Sequence, residues 1–494
     1  MDPAVTAPAP LVRESEYRAS PGTQPLGAPT EERIFVNRNL RMRSIGAVGF
    51  DLDYTLAHYR VHEIDHLAFR ITQQKLVAQR GHPREILEAR FDPDFLVRGL
   101  IVDRLKGNVL KMDYHNYVVR AVHGFRALTD VERKRTYRAR RIRTSAKRYA
   151  SIDTFFHLPE IYLYLALVEL YETGGVKPDH TRLHRDVREM IDEAHADGSI
   201  KSEIAREPGR FVSPDPRLPR FLDTLREEGK KVFLLTNSEP QYTDLLMSHL
   251  LDGNGGPAWR TRFDLVVVDA GKPRFFRERG RTGTWLDESG PGAPMYSGGD
   301  VANFERLLGF KGDSILYWGD HTYGDILRSK KSVGWRTAMI IPELEQEILV
   351  SERIRPSLDE LDEAVTARER VILDEQSCRT QVERLSALLE GSAQSAPEAR
   401  QEVVRKLARM GERLAFLEGE RARLHALVAR LDDECNAAYH RHWGPLFREG
   451  NEISRFGHQV KDFACIYTTR VSNLLHYPPN TYFRSPRERM PHEL

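Results

Sequence analysis

Short apolar runs rich in β-branched and aromatic residues recur through the middle of the chain: Ile45 to Phe50, Lys231 to Leu235, Asp264 to Val268, Ser314 to Trp318 and Arg336 to Ile341. Each ends in polar or glycine-containing sequence, and helical stretches lie between them. Their length, their β-branching and the lack of polar alternation predict strands buried on both faces, as in the parallel sheet of an α/β protein. Such sheets gather their sites at the carboxyl ends of the strands. Chemistry is therefore expected in the residues just after each run.

About 180 residues separate the first two runs, far more than one crossover needs. Ile71 to Arg80, Ile161 to Glu172 and Leu183 to His195 follow a helical pattern there, which predicts a mainly helical cap inserted after the first strand. The expected layout is a catalytic core over 31–60 and 206–350 with an insert over 61–205. From about Ser351 the composition turns to Glu, Arg, Leu and Ala. Val403, Leu407, Met410, Leu414, Leu417, Arg421, Leu424, Val428 and Leu431 stand alternately four and three apart, a heptad seam with one charged interruption. With an earlier helical stretch from Leu358 to Leu389 and a break from Gly391 to Glu398, this predicts a helical hairpin over 351–440. Two long helices packed on the core fit the same pattern. Residues 441–494 are expected to pack back on the core. Residues 1–30, rich in Pro and Ala and without periodicity, read as a disordered tail.

Composition narrows the class. The chain has 494 residues, 40% hydrophobic and 30% charged, enough for about three domains. Its 74 Lys+Arg against 72 Asp+Glu leave a net charge of +2, which excludes both the signature of a disordered chain and a surface that wraps nucleic acid throughout. Cys378, Cys435 and Cys465 are too few for a disulfide framework and share no metal-ligand spacing, so a reducing compartment is expected. No apolar run approaches the roughly 20 residues that span a bilayer, and no apolar stretch follows basic residues at the start. The expectation is a soluble cytoplasmic protein that binds no membrane and no nucleic acid.

The first run leads straight into Asp51-Leu-Asp53-Tyr-Thr55. Two aspartates at the end of a buried strand, two apart, repel one another unless a cation or a shared proton intervenes. A turn or a helix N-cap is the alternative use of such residues. The second run ends in Thr236-Asn237-Ser238, the third is followed by Asp269-Ala-Gly-Lys272, and the fourth by Gly319-Asp320-His-Thr-Tyr-Gly-Asp325. Carboxylates, hydroxyl and amide donors and one ammonium, each just past a strand, are hard ligands suited to Mg²⁺ and phosphate.

At these residues the chain resembles the haloacid dehalogenase superfamily of phosphohydrolases, whose core is Rossmann-like. It resembles more closely the cytosolic purine 5′-nucleotidases, which prefer IMP and GMP. Phe50 to Leu56, Leu235 to Ser238, Asp269 to Pro273, Tyr296 to Gly299, Gly319 to Asp325, Lys330 to Arg336 and Met490 to Glu493 carry that likeness. The resemblance implies that Asp51 attacks phosphorus and that Asp53 serves as acid and then as base. It implies Mg²⁺ held among Asp51, Asp320 and the backbone carbonyl of Asp53, with Asp325 orienting that shell. Thr236, Asn237, Ser238 and Lys272 would hold the phosphoryl oxygens.

In the insert, Arg188, Asp192 and His195 line one side of a helical pattern beside an apolar stripe of Val187, Met190, Ile191 and Ala194. A solvated face is what periodicity alone implies. The resemblance adds that Arg188, Asp192, His195 and Lys201 contact the nucleotide, with Phe156 stacking on the base. His157 stands where the family has Asn. Arg188 donating to O6 and Asp192 accepting from N1–H would suit hypoxanthine and guanine, whereas adenine presents the reverse pattern, so AMP is expected to be a poor substrate. Nine Lys and Arg between residues 133 and 148 suit a solvated basic helix or loop ahead of a nucleic-acid patch or a site for an anionic effector, such as a nucleotide or a phosphorylated metabolite. The expected function is Mg²⁺-dependent hydrolysis of purine 5′-monophosphates, with phosphotransfer to nucleosides as a second activity and a homo-oligomer as the assembly. The rivals are a phosphatase for another monoester and an idle scaffold that binds partners through its hairpin.

Overall fold

All five apolar runs are strands: β1 (Ala47–Phe50), β2 (Lys231–Leu235), β3 (Leu265–Val268), β4 (Ile315–Gly319) and β5 (Arg336–Ile340). The computed structural model describes residues 27–137, 142–252, 259–287, 292–391, 397–487 and 490–493. The tail expected over residues 1–30 lies outside these as far as residue 26, as do 138–141 of the basic run and 392–396 of the expected turn. Residues up to Gln346 together with those from Leu446 form one compact unit, and Glu347–Pro445 a second.

In the larger unit the five strands lie in a nine-stranded sheet in the spatial order β5-β4-β1-β2-β3, extended by Ile466–Thr468 beside β5 and by Met295–Ser297 beside β3. All of these pairs are parallel; only the edge strands Phe35–Val36 and Thr284–Asp287 run antiparallel. β1 is wholly buried, as a strand covered on both faces must be. Gly49 is needed within it, because a Cβ there would fall 2.0 Å from the ring of Phe233. Phe50 is level with Leu234 on β2 and Trp318 on β4, so three chain ends leave the sheet at the same height.

The chain leaves the core through His58–Tyr59 and returns through Val212–Ser213, which pair as a two-stranded antiparallel ribbon. Between them lie α1 (Val61–Arg80), α2 (His157–Thr173), α3 (His180–Ala196) and α4 (Ser199–Arg206). α1 packs on α3, α2 and α4 through buried residues that include Leu67, Phe69, Leu163, Val187 and Ile191. The insert also holds a five-stranded antiparallel sheet from Ile101 to Ser151, which its helical patterning does not predict. Its strands carry charged residues such as Lys111 and Arg120, so the hydrophobic pattern is broken. Its tight turn at Asp103 closes through Gly107, at φ 72°.

The second unit contains the hairpin helices α5 (Arg355–Gly391) and α6 (Pro397–Tyr439), packed along one another. Leu417, Leu424, Val428 and Leu431 of the expected seam are buried, and Ala364 and Cys378 are buried on α5. Arg421, the charged interruption, lies 2.7 Å from Glu375, a buried carboxylate of α5 that also meets Arg379 at 2.8 Å. Pairing is what makes a buried charge tolerable there. No described helix is long and apolar enough to cross a membrane.

Candidate active site

The Asp51 N–H continues the ladder by donating to Trp318 O at 2.9 Å, and beyond it the chain turns. The N–H groups of Thr55, Leu56 and Ala57 all close on Leu52 O, and Tyr54 at the tip has φ 56°, a left-handed conformation that costs energy in a residue with a Cβ. Its ring packs 4.6 Å from Phe155, 4.9 Å from Tyr59 and 5.0 Å from Phe156, which holds the turn in place. The residues of the Asp-x-Asp pair are thereby separated: Asp51 belongs to the strand end and Asp53 to the turn.

Asp51, Asp320 and Asp325 each bring a carboxylate oxygen within 4.8 Å of the others, and all three are buried. Gly319 permits the closeness, since a Cβ there would lie 2.6 Å from Asp325 Cβ. Lys272 Nζ bridges the group, 2.9 Å from Asp51 Oδ1 and 2.8 Å from Asp325 Oδ1. It also donates to Leu235 O at 3.1 Å and Tyr317 Oη at 2.8 Å. Burial pushes the Asp51 carboxyl up to about 6 despite the Lys272 ammonium beside it, and burial drives Asp320 well above the usual carboxylate range. Burial opposes the charge on Lys272, yet the Asp325 and Asp51 carboxylates hold its pKa above the ordinary value. Three carboxylates face the Lys272 ammonium and, 3.8 Å from Asp320 Oδ2, the Arg98 guanidinium, which is shared with Glu343, and Asp320 Oδ2 and Asp325 Oδ2 have no hydrogen-bond partner. This donor set, all oxygen and buried, fits a divalent cation such as Mg²⁺.

The Asp53 side chain is not part of that cluster. Its Oδ1 accepts from Tyr59 Oη at 2.6 Å and its Oδ2 from Ser238 Oγ at 2.6 Å. Burial raises its pKa, and the Asp51 charge adds to the rise. Thr236 is buried, and its Oγ1 accepts from the Ser238 N–H at 3.1 Å while keeping a proton to donate. Asn237 clasps the backbone of Lys272, accepting from its N–H at 2.6 Å and donating to its carbonyl at 3.1 Å. The side chains of Ser238 and Asn237 thus serve the acid/base candidate and the lysine loop.

Above this edge opens a cavity of about 370 Å³. Asp53, Asn237 and Ser238 line its floor, and Phe156, His157, Arg188, Asp192, His195 and Lys201 its walls. The Phe156 ring meets that of His195 edge-on at 5.4 Å. Burial lowers the pKa of His195 to about 4, with Lys201 and Arg188 adding to the effect, and burial likewise drives His157 well below the usual range. Both rings are therefore neutral near pH 7. Arg188 lies 2.8 Å from the wholly buried Glu160 and only 3.9 Å from Asp192, whose side chain is 65% exposed. Lys201 pairs with Glu239 at 2.8 Å.

Residues 34–494 match the sequence profile of the 5′ nucleotidase family. The chain belongs to the 5′ nucleotidase family. It is 27% identical to a 5′-nucleotidase domain-containing protein of Dictyostelium discoideum over 482 residues, 93% of this chain and 74% of that one. It is 28% identical to 5′-nucleotidase domain-containing protein 2 of Rattus norvegicus over 486 residues, 93% of this chain and 80% of the relative. A solved 2-haloacid dehalogenase from Pseudomonas syringae is 15% identical, covering 60% of this chain and 87% of its own, with a TM-score of 0.22.

Several residues of this 5′-nucleotidase-family site are not among those that sequence patterning predicts. Tyr317, inside β4, looks like any strand aromatic until its hydroxyl is seen on Lys272. Glu160 sits in the apolar start of α2 and Tyr242 in the helix after Ser238, both without a distinguishing pattern. Arg98 did leave a signal, a lone charge in Phe95-Leu-Val-Arg-Gly-Leu-Ile-Val102. It is 1% exposed, pairs with Glu343 through Nε and Nη2 at 2.7 Å each, and donates from Nη1 to Asp320 O at 3.0 Å. Its guanidinium lies over the Phe155 ring at 4.1 Å. An insert residue thus braces the core loop that carries Asp320.

Proposed function

We propose that this chain is a Mg²⁺-dependent 5′-nucleotidase that hydrolyses purine nucleoside 5′-monophosphates, preferring IMP and GMP. The observation that carries the reading is the single cavity that has Asp53, Asn237 and Ser238 at one end and Phe156, Arg188, Asp192, His195 and Lys201 at the other. Its volume of about 370 Å³ is within the range of small-ligand sites. A base stacked on Phe156 directs its phosphate towards the strand ends.

Asp51, Asp320 and Asp325 would hold the cation, together with the backbone carbonyl of Asp53. When bound, it supplies the positive charge that lets a phosphate dianion approach a carboxylate nucleophile. In the first step an Asp51 oxygen bonds to phosphorus as the bond from phosphorus to O5′ breaks, and the Asp53 proton passes to O5′. In the second, a water oxygen bonds to phosphorus as the Asp51 bond breaks, and Asp53 takes the water's proton. A nucleoside hydroxyl in place of that water gives phosphotransfer. Lys272 and the Thr236 hydroxyl offset charge on the phosphoryl oxygens throughout.

The test is phosphate release from IMP, GMP, AMP, CMP and p-nitrophenyl phosphate, with and without Mg²⁺, by wild type and Asp51→Asn. Mg²⁺-dependent release favouring IMP and GMP and lost in the variant is expected. Release from p-nitrophenyl phosphate alone would keep the strand-end chemistry and discard the purine pocket.

A further inference from the structure

Tyr59 stands on the ribbon through which the insert joins the core, opposite Val212, and is 8% exposed. Its position is set by backbone pairing and by its ring contacts with Tyr54 at 4.9 Å and Phe156 at 6.3 Å. From there its hydroxyl reaches Asp53 Oδ1 at 2.6 Å, and the Tyr242 hydroxyl lies 2.8 Å away on its other side. Tyr242 is itself buried.

We infer that Tyr59, backed by Tyr242, is a positioning residue for the Asp53 carboxyl and sets the efficiency of proton transfer to the leaving oxygen. The inference rests on the nucleotidase reading only for the identity of that oxygen. A carboxyl that gives a proton to O5′ as the bond from phosphorus to O5′ breaks, and later takes one from water, must keep one orientation in both protonation states. Each carboxylate oxygen has two acceptor sites. Ser238 Oγ occupies one on Oδ2 and Tyr59 Oη one on Oδ1, so the carboxyl plane is fixed from two sides. A site on each oxygen stays free for the transferable proton. Tyr59 donates in both states, and a hydrogen bond accepted from Tyr242 strengthens that donation. With Tyr59 removed, only Ser238 holds the carboxyl, and it can rotate about its single bond. Tyr59 also touches Phe156, so the group that orients the acid is in contact with the aromatic ring that would stack on the base.

The dependence on leaving group tests this. A ribose 5′-oxygen must be protonated as it departs, whereas p-nitrophenolate leaves without a proton. Rapid-quench measurement of aspartyl-phosphate formation from IMP and from p-nitrophenyl phosphate would compare wild type, Tyr59→Phe and Tyr242→Phe. Tyr59→Phe is expected to slow formation from IMP by about 30-fold, to slow it from p-nitrophenyl phosphate by less than about threefold, and to leave KM for IMP within about twofold. Tyr242→Phe is expected to show the same selectivity at about threefold, and it carries the contrast if Tyr59→Phe gives no soluble protein. Equal slowing on both substrates, or none on either, would overturn the inference. If wild type uses aryl phosphates but not IMP, the nucleotide reading fails, and glycerol phosphate against p-nitrophenyl phosphate reads the same contrast. A wild type inert on every monoester would overturn both.

Discussion

At the sheet edge, Asp51, Thr236 and Asp320 meet because β1, β2 and β4 end in register, with Lys272 brought in from the loop after neighbouring β3. In the insert, Phe156, Arg188, His195 and Lys201 meet because α2, α3 and α4 pack together. The first site is fixed by backbone: Asp51 and Thr236 continue the ladder, and the Lys272 main chain is clasped by Asn237. The second depends on side chains reaching one another across helices, as Arg188 does to Glu160 and Lys201 to Glu239. The sheet edge can therefore keep one chemistry while helix faces change what is brought to it. Substitutions at the edge should damage every substrate alike, and substitutions in the insert should re-rank substrates.

The largest effect expected on this contrast is at Asp320. Its Oδ2 has no hydrogen-bond partner, and its neighbours in the cluster are two more carboxylates. Asp320→Asn removes a charge from the cation site and is expected to lower kcat/KM by about 10³-fold on IMP and p-nitrophenyl phosphate equally. Calorimetric titration of the metal-free protein with Mg²⁺ should show weakened binding without substrate. A loss confined to nucleotides would mean that the sheet edge also sets substrate choice.

Glu160 gives a middle-sized test in the insert. It is wholly buried, and neither oxygen has a well-aligned hydrogen bond although Arg188 lies 2.8 Å away. Burial outweighs that guanidinium and raises the carboxyl from 4.5 to about 8. A raised carboxyl pKa means that the folded state binds the proton more tightly, so this group's contribution to stability is present below pH 4.5 and is lost as pH rises through about 8. Glu160→Gln should therefore gain in Tm relative to wild type between about pH 5 and pH 9. The same variant frees Arg188 to reorient, and KM for IMP and GMP is expected to rise about tenfold, with p-nitrophenyl phosphate little affected. Parallel Tm curves across that range would refute the buried, protonated reading of Glu160.

The same division decides what could be read from sequence. The helical insert and the hairpin were legible by their periodicity, the five strands as short unbroken apolar runs, and the strand-end residues because they stand where such runs end. Tyr59, Tyr242 and Tyr317 were not, since a tyrosine that ends in a hydrogen bond to Asp53 or Lys272 has the same pattern as one that only packs. The antiparallel sheet of the insert was not legible because strands such as Asn108–Met112 place a charge inside, Lys111, which meets Glu449 at 2.7 Å. Charge pairs over such sequence distances leave no local trace. Arg188 and Asp192 stand one helical turn apart on α3, yet the closer carboxylate to Arg188 is Glu160, from another helix.

That last difference sets the smallest prediction. If Asp192 accepted a hydrogen bond from a deeply buried N1–H, its loss would cost most of the preference for 6-oxopurines, on the order of tenfold or more. With its side chain 65% exposed and 3.9 Å from Arg188, Asp192 stands at the rim of the cavity, where water competes for both partners. Solvent-exposed polar contacts of this kind are worth less than about 1 kcal/mol, so Asp192→Asn should change kcat/KM for IMP relative to AMP by about threefold. The neutral amide can still accept through its oxygen, which keeps the effect small rather than absent. Unchanged relative efficiencies for IMP, GMP and AMP would remove Asp192 from base recognition. A loss of tenfold or more would instead mean that the insert closes over the base when substrate binds, burying a carboxylate that lies open here.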